Sequence, residues 1–328
     1  MVVKQNWPVI GHEWAVEQLA RAIQHGRTRH AYLFAGPDRI GKTTLARVLA
    51  ATINCTAEAA PCGECRNCKL FIKGAHPDLT VLEGENGTIK IDQVRAIQQT
   101  VALRPYEARY RVAILRRVPA AAPQAQEALL KTLEEPPPNV VLIVTANAAD
   151  ALLPTILSRC QPLNLRPLPI QQLQEALKQG WNVAEDEAQL LAQISGGRIG
   201  WAIKALEDPA EREWRTQVLD ALETALKGNR RERFALVEHL ALEKNVLLPM
   251  LDVWQGYWRD ALLMASGSRA PITNYDRRGT IRDMAIGREA AQQALEATRR
   301  TIDQVDRNAN ARLALEVLML DYPQLKAP

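Results

Sequence analysis

The chain has 328 residues, 47% of them hydrophobic and 24% charged, with a mean hydropathy of −0.20. That composition excludes disordered, collagenous and coiled-coil chains, and the length suggests about two domains, or three. A net charge of +4 is too small to announce a nucleic-acid binder, and 5% aromatic residues leave no stacking platform for single strands.

The N-terminal stretch carries Lys4, His12 and Glu13 where a signal peptide needs an apolar core. No segment approaches the roughly 18 to 20 apolar residues of a membrane span. A cytoplasmic protein with no membrane partner is expected. Val16, Leu19, Ala20 and Ile23 recur at helical spacing and predict a helix over Ala15–Gln24. Ala31–Ala35 reads as a short strand running into a glycine-rich turn, and Thr43–Ile53 as the helix after it. Leu79–Leu82, Arg111–Leu115 and Val140–Thr145 read as further buried strands, with helices over Ile91–Leu103 and Gln124–Leu133. Strands alternating with helices predict a parallel sheet covered on both faces.

From Arg166 to Leu206 the pattern is helical, broken at Ser195-Gly196-Gly197. After Pro209, helices are predicted over Glu211–Leu226, Arg233–Ala241, Val246–Met264, Ile281–Asp306 and Ala309–Leu320, with Ser266–Thr280 an exposed loop. The expected organisation is an α/β domain over residues 1–165, a small helical domain over 166–208 and a larger helical domain over 209–328.

Gly36-Pro-Asp-Arg-Ile-Gly41-Lys42-Thr43 fits the phosphate-loop pattern G-x-x-x-x-G-K-[ST], between a predicted strand and a predicted helix. Glycine is needed where backbone N–H groups converge on phosphate oxygens, because a Cβ would obstruct them. The helix that follows adds its N-terminal dipole. Lys42 would reach the β- and γ-phosphates, and the Thr43 hydroxyl would bind Mg²⁺. The candidate contacts to ATP or ADP are Gly36, Gly41, Lys42, Thr43 and Thr44. The motif marks binding and is silent on hydrolysis.

Five cysteines is an odd number, and Cys55, Cys62, Cys65 and Cys68 form C-x6-C-x2-C-x2-C. Without a secretion signal, clustered cysteines point to a metal before disulfides. Zn²⁺ takes four tetrahedral thiolates, and a Cys-x-x-Cys step bites one ion from a tight turn, here helped by Gly63. Redox chemistry and iron–sulfur clusters use the same step, but the compact insertion over about residues 55–68 favours a closed structural zinc site. His76 is a minor candidate ligand, and Cys160 lies too far along the chain.

A nucleotide hydrolase needs a carboxylate at the end of a second buried strand to hold Mg²⁺, commonly followed by a Glu that polarises water. Here Arg111–Leu115 is followed by Arg116 and Arg117, and Val140–Thr145 by Ala146 and Asn147. Neither strand ends in a carboxylate. Metal-assisted hydrolysis is not expected, although two guanidinium groups are able to neutralise phosphate directly.

Leu129-Leu-Lys-Thr-Leu-Glu-Glu-Pro-Pro137 and Leu157-Ser158-Arg159-Cys160 add to the phosphate loop, the cysteine insertion and His30-Ala-Tyr-Leu-Phe34. In this order they resemble the bacterial clamp-loader subunits of DNA polymerase III. His76-Pro77-Asp78 and the altered acidic motif look most like the non-motor branch of that family, not the motor subunit called gamma or tau. The resemblance has specific motifs over about Ile10 to Leu206. Beyond, it rests on helical pattern and on Asn308 to Leu320.

The resemblance implies an AAA+ module, a helical lid and a C-terminal helical collar that joins five subunits in a ring. It implies that Arg159 is an arginine finger reaching the ATP of a neighbouring subunit, an effect worth about 10³ to 10⁵ in rate. A short helix from Pro154 would hold it at an exposed end. Asn147 falls where a sensor-1 residue contacts a γ-phosphate. The sensor-2 Arg of a motor lid would fall near Gly200, with Arg198 two places away. The implied partners are the motor subunits gamma/tau and delta, with the sliding clamp and primed DNA reached through the complex.

Other residues read more plainly. Glu134 and Glu135 precede three prolines and mark a helix end with solvent-facing charge more readily than a catalytic pair. Arg230-Arg231, Arg277-Arg278 and Arg299-Arg300 each have acids nearby and read as solvated surface before DNA contacts. Trp254 and Trp258, four apart, suit core packing or a subunit interface. The expected function is a non-catalytic clamp-loader stator without polymerase or ATPase activity of its own. Its rivals are an ATP-hydrolysing motor subunit, whose turnover would depend on Lys42, and a small-molecule kinase on the same loop.

Overall fold

The computed structural model describes residues 7–84, 89–240 and 242–325; Lys4, and Ala241 at the end of one expected helix, lie outside them. The described residues fall into two compact units. One runs to Gln172 and includes Arg198–Gly200, and the other comprises Leu173–Gly197 and the chain from Trp201 onward. Among the described residues, no helix is long and apolar enough to cross a membrane.

In the first unit the chain runs through α1 (Glu13–Gln24), β1 (Ala31–Ala35), α2 (Lys42–Ile53), α3 (Arg66–Lys73), β2 (Leu79–Leu82) and α4 (Ile91–Ala102). It continues through β3 (Arg111–Leu115), α5 (Pro123–Glu134), β4 (Val140–Ala146), α6 (Pro154–Leu157) and β5 (Gln161–Asn164). The five strands form one sheet in the order β2-β3-β4-β1-β5, and every pairing is parallel.

Strand side chains alternate between faces. Tyr32, Phe34, Val112, Ile114, Val141 and Ile143 pack with Leu19, Leu45, Leu49 and Phe71 from α1, α2 and α3. Their neighbours Leu33, Ala113, Leu115, Leu142 and Val144 pack with Val94, Ile97, Leu129 and Ile156 from α4, α5 and α6. This is why the inner strands β1, β3 and β4 read as apolar runs. Each fully buried Leu or Ile contributes about 1.5–3 kcal/mol, so one polar side chain in β1 or β4 would cost a large share of the fold's margin.

Two strand ends position the site. Ala35 lies opposite Ala146, and Leu115 opposite Val144. Parallel strands therefore deliver residues 36–41, Arg116, Arg117 and Asn147 to one end of the sheet, where α/β folds bind ligands.

The second unit is helical: α7 (Ile170–Trp181), α8 (Glu185–Ile194), α9 (Ile199–Glu207), α10 (Pro209–Lys227), α11 (Arg230–His239), α12 (Lys244–Ala265), α13 (Arg278–Asp283), α14 (Arg288–Asp306) and α15 (Ala311–Asp321). The first turns of α7 and α9 belong to the first unit. Trp254, Tyr257 and Trp258 of α12 are fully buried against Leu219, Leu222, Ala294, Leu315 and Tyr322. Both Trp are therefore core residues. Arg277 pairs with Asp220 and Glu223, and Arg300 with Asp321. The expected single helix over Ile281–Asp306 is two helices, because Ala285 takes φ 47° and Gly287 starts α14 afresh.

Candidate phosphate-loop and cysteine sites

The chain leaves β1 at Gly36, whose N–H donates to Ala146 O at 3.1 Å. Gly36 has φ 151°, and a Cβ there would lie 2.5 Å from Leu165 O. Gly41, at φ 105°, caps α2 in the left-handed region. Conformation and space thus both demand glycine at the first position, and conformation at the second.

Lys42 opens α2 and is only 7% exposed. Its Nζ donates to Gly36 O, to Pro37 O at 2.9 Å and to Asn147 Oδ1 at 3.5 Å. It lies 3.6 Å from Asp38 Oδ1. Burial pulls the Lys42 pKa down to about 8, against the pull of Asp38 and with help from Arg117. Thr43 is half-buried and Thr44 exposed on the first turn of α2. Gly36, Gly41, Lys42, Thr43, Thr44 and Asn147 thus gather at one sheet end.

Beyond β3, Arg116 pairs with Glu83 at the end of β2. Arg117, at φ 53°, donates its backbone N–H to Thr145 Oγ1 at 3.1 Å. Its Nη2 reaches Asp38 Oδ2 at 2.7 Å. Asp38 is the residue that sequence reasoning missed. It is an acid inside the loop, visible in the motif, but only the fold reveals that it joins Lys42 to Arg117. Gly200 donates its N–H to Arg39 O at 2.8 Å, and a Cβ there would meet that same oxygen at 2.8 Å. An arginine does not fit at this point.

Arg159 is not brought to this loop. It precedes β5, whose Gln161 lies opposite Tyr32 near the start of β1, so it sits at the far end of the sheet from Gly36. Its guanidinium pairs with Glu134 at 2.8 Å and donates to Thr155 O at 3.0 Å and Ser158 Oγ at 3.1 Å. With Arg29, His30 and Glu134 it lines an open recess of about 660 Å³. Cys160 beside it is buried, which pushes its thiol up to about 11.

The cysteine insertion folds around its own sulfurs. Cys65 caps α3, its Sγ accepting from Cys68 N–H at 3.4 Å, while Cys62 Sγ accepts from Cys65 N–H at 3.3 Å. The Sγ atoms of Cys55, Cys62, Cys65 and Cys68 all lie within 4.8 Å of one another. Zn²⁺ at about 2.3 Å from each sulfur would set them about 3.8 Å apart, so the cluster has the size to bind zinc. Hydrogen bonds from Cys65 and Glu64 N–H lower the Cys62 pKa. Burial works against ionisation of Cys65, yet hydrogen bonds from Cys68 and Thr56 bring it down to about 6. Burial pushes Cys68 up. His76 is not part of the cluster: its ring stacks on Phe71 at 4.0 Å, its Nδ1 accepts from Asp78 N–H and its Nε2 faces Asn67 Oδ1.

A parallel sheet in this strand order behind a phosphate loop is the AAA+ arrangement, here with a cysteine insertion and a mostly helical C-terminal part. The family described as DNA polymerase III, delta subunit, matches residues 11–169. The chain is 32% identical to DNA polymerase III subunit delta′ of Pseudomonas aeruginosa, over 95% of this chain and 96% of that protein. It is 34% identical to subunit tau of Escherichia coli over 67% of this chain, but spans only 35% of tau. A solved gamma subunit-related protein of Thermotoga maritima is 17% identical, with a TM-score of 0.41, covering 92% of this chain and 97% of that one. The chain belongs to the family of DNA polymerase III delta′ clamp-loader subunits.

Proposed function

We propose that this chain is a stator of the bacterial clamp loader: it retains nucleotide without hydrolysing it and helps load the sliding clamp on primed DNA. One observation carries this reading. Arg116 and Arg117 follow β3 where a hydrolase needs carboxylates, and the loop's own acid, Asp38, is neutralised by Arg117 at 2.7 Å. Among the described residues, no unpaired carboxylate is left there to hold Mg²⁺ or to act as a base for water.

In this reading residues 1–165 are the AAA+ module, 166–208 the lid and 209–328 the collar that oligomerises with gamma/tau and delta. Asn147 senses the γ-phosphate, and the four cysteines hold a structural Zn²⁺. Arg159 serves in trans as the arginine finger. Its position away from its own phosphate loop, at the rim of an open recess, supports that role. The working place is the cytoplasm.

Steady-state ATP hydrolysis by the purified chain tests the first claim. Neither the wild type nor Lys42→Ala should turn over ATP. Turnover that Lys42→Ala abolishes would favour a motor subunit, the reading that the identity with tau and the retained Lys42 and Thr43 support. In a reconstituted ring, Arg159→Ala should slow the neighbour's hydrolysis by about 10³. Clamp loading at full rate would remove the finger assignment.

A further inference from the structure

We infer that the phosphate loop takes a nucleoside di- or triphosphate as the metal-free anion, with the Arg117 guanidinium supplying the charge that Mg²⁺ supplies in a hydrolase. This rests on the reading that the loop retains nucleotide, and it names the form of the ligand.

The described residues around the loop do not fit the metal. Mg²⁺ demands oxygen ligands in near-octahedral geometry and is usually held by one or two carboxylates beside the substrate phosphates. Asp38 has both oxygens engaged, Oδ2 by Arg117 at 2.7 Å and Oδ1 by Lys42 at 3.6 Å. Glu83 is paired with Arg116. Within the motif that leaves the Thr43 hydroxyl, a neutral ligand.

The same residues fit the anion. Lys42 and Arg117 converge on one carboxylate of the loop. The Asp38 carboxylate is thus an internal stand-in for a phosphate group, held between an ammonium and a guanidinium. A polyphosphate offers the same kind of oxygens with more charge, and guanidinium groups bind phosphate bidentately. The Asp38 side chain is already 26% exposed, so it can turn to solvent as phosphate replaces it. No covalent bond changes. Two consequences follow from charge alone. Mg²⁺ on the nucleotide cancels the charge that Lys42 and Arg117 would meet, and Asp38 competes with the ligand.

Fluorescent ADP and ATP analogues titrated into the full chain, in EDTA and in excess Mg²⁺, test this. Binding in EDTA should be at least as tight as in Mg²⁺. Arg117→Gln should weaken it on the order of 10-fold or more, the worth of a charge-assisted hydrogen bond, and Arg117→Lys should restore part. Asp38→Asn should tighten it, which keeps the test decisive if Arg117→Gln fails to fold in a thermal melt. Binding that requires Mg²⁺, ignores Arg117→Gln or weakens in Asp38→Asn overturns the inference and leaves nucleotide retention standing. Absence of binding in both buffers overturns both.

Discussion

Lys42→Met should make the nucleotide-free protein more stable. Lys42 is 7% exposed, and burial draws its pKa from an ordinary 10.5 to about 8. At 1.36 kcal/mol per pKa unit, that displacement is about 3 kcal/mol against the charged form at neutral pH. The Met variant also loses the Nζ hydrogen bonds to Gly36 O and Pro37 O, worth about 1–2 kcal/mol together. The net expectation is about 1–2 kcal/mol of added stability at pH 7. Between pH 8 and 10.5 the unfolded chain keeps the Lys42 proton and the folded chain does not, so wild-type stability rises with pH across that window. The advantage of Lys42→Met should therefore shrink as pH rises. Hydrogen exchange of β1 and α2 amides, read beside a urea transition, reports the first unit separately from the second. A Met variant less stable than the wild type at pH 7, or a difference that does not change between pH 7 and 10, would refute the reasoning.

Asp78 is fully buried, accepts N–H bonds from Tyr106, Glu107 and Ala108 and pairs with Arg111 at 3.0 Å. Asp78→Asn leaves a buried guanidinium without its charge partner and should cost about 3–5 kcal/mol in a urea titration. Burial alone would raise the Asp78 pKa, but the three N–H groups and Arg111 outweigh it and hold it below 3.8. Its contribution is complete above 3.8 and lost as pH falls through the lower folded value, so the variant should show a shallower acid limb by circular dichroism. Zinc added to the reduced chain near pH 7 should release protons, Cys68 among their sources because burial keeps its thiol protonated. A pH-stat titration measures this, and uptake without proton release would argue against thiolate ligation. Chelation or Cys65→Ser should then lower the melting temperature.

What the sequence made legible is what local chemistry determines. β1, β3 and β4 lie between helices and read as apolar runs, and the glycines of the phosphate loop and the cysteine spacing need no tertiary context. β5 was not anticipated. Gln161–Asn164 is an edge strand with Pro162 in it and two exposed residues, and a proline argues against a strand anywhere but an edge. α3 was hidden because Cys65, which reads as a ligand, also serves as its cap. The break before α14 depends on a left-handed Ala285, for which alanine carries no signal. The pairing of Asp38 with Arg117 joins residues 79 positions apart, and only the parallel register of β1, β4 and β3 brings them together.

That pairing changes what a nucleotide would do here. In a hydrolase the buried lysine meets a metal-bound phosphate that turnover later removes. Here Lys42 meets carbonyls of its own loop and a carboxylate shared with Arg117, and its burial still disfavours its charge by about 3 kcal/mol. A ligand at 100 times its dissociation constant stabilises the folded state by about 2.7 kcal/mol, the same order as that penalty. A polyphosphate that stays unhydrolysed would therefore act on this unit as a lasting counterion, offsetting what Lys42 costs. Its affinity should fall as pH rises through about 8, because binding then requires Lys42 to regain its proton. Isothermal titration at pH 7 and 9 in two buffers of different ionisation enthalpy would reveal that proton uptake, and an affinity independent of pH would place the phosphates away from Lys42.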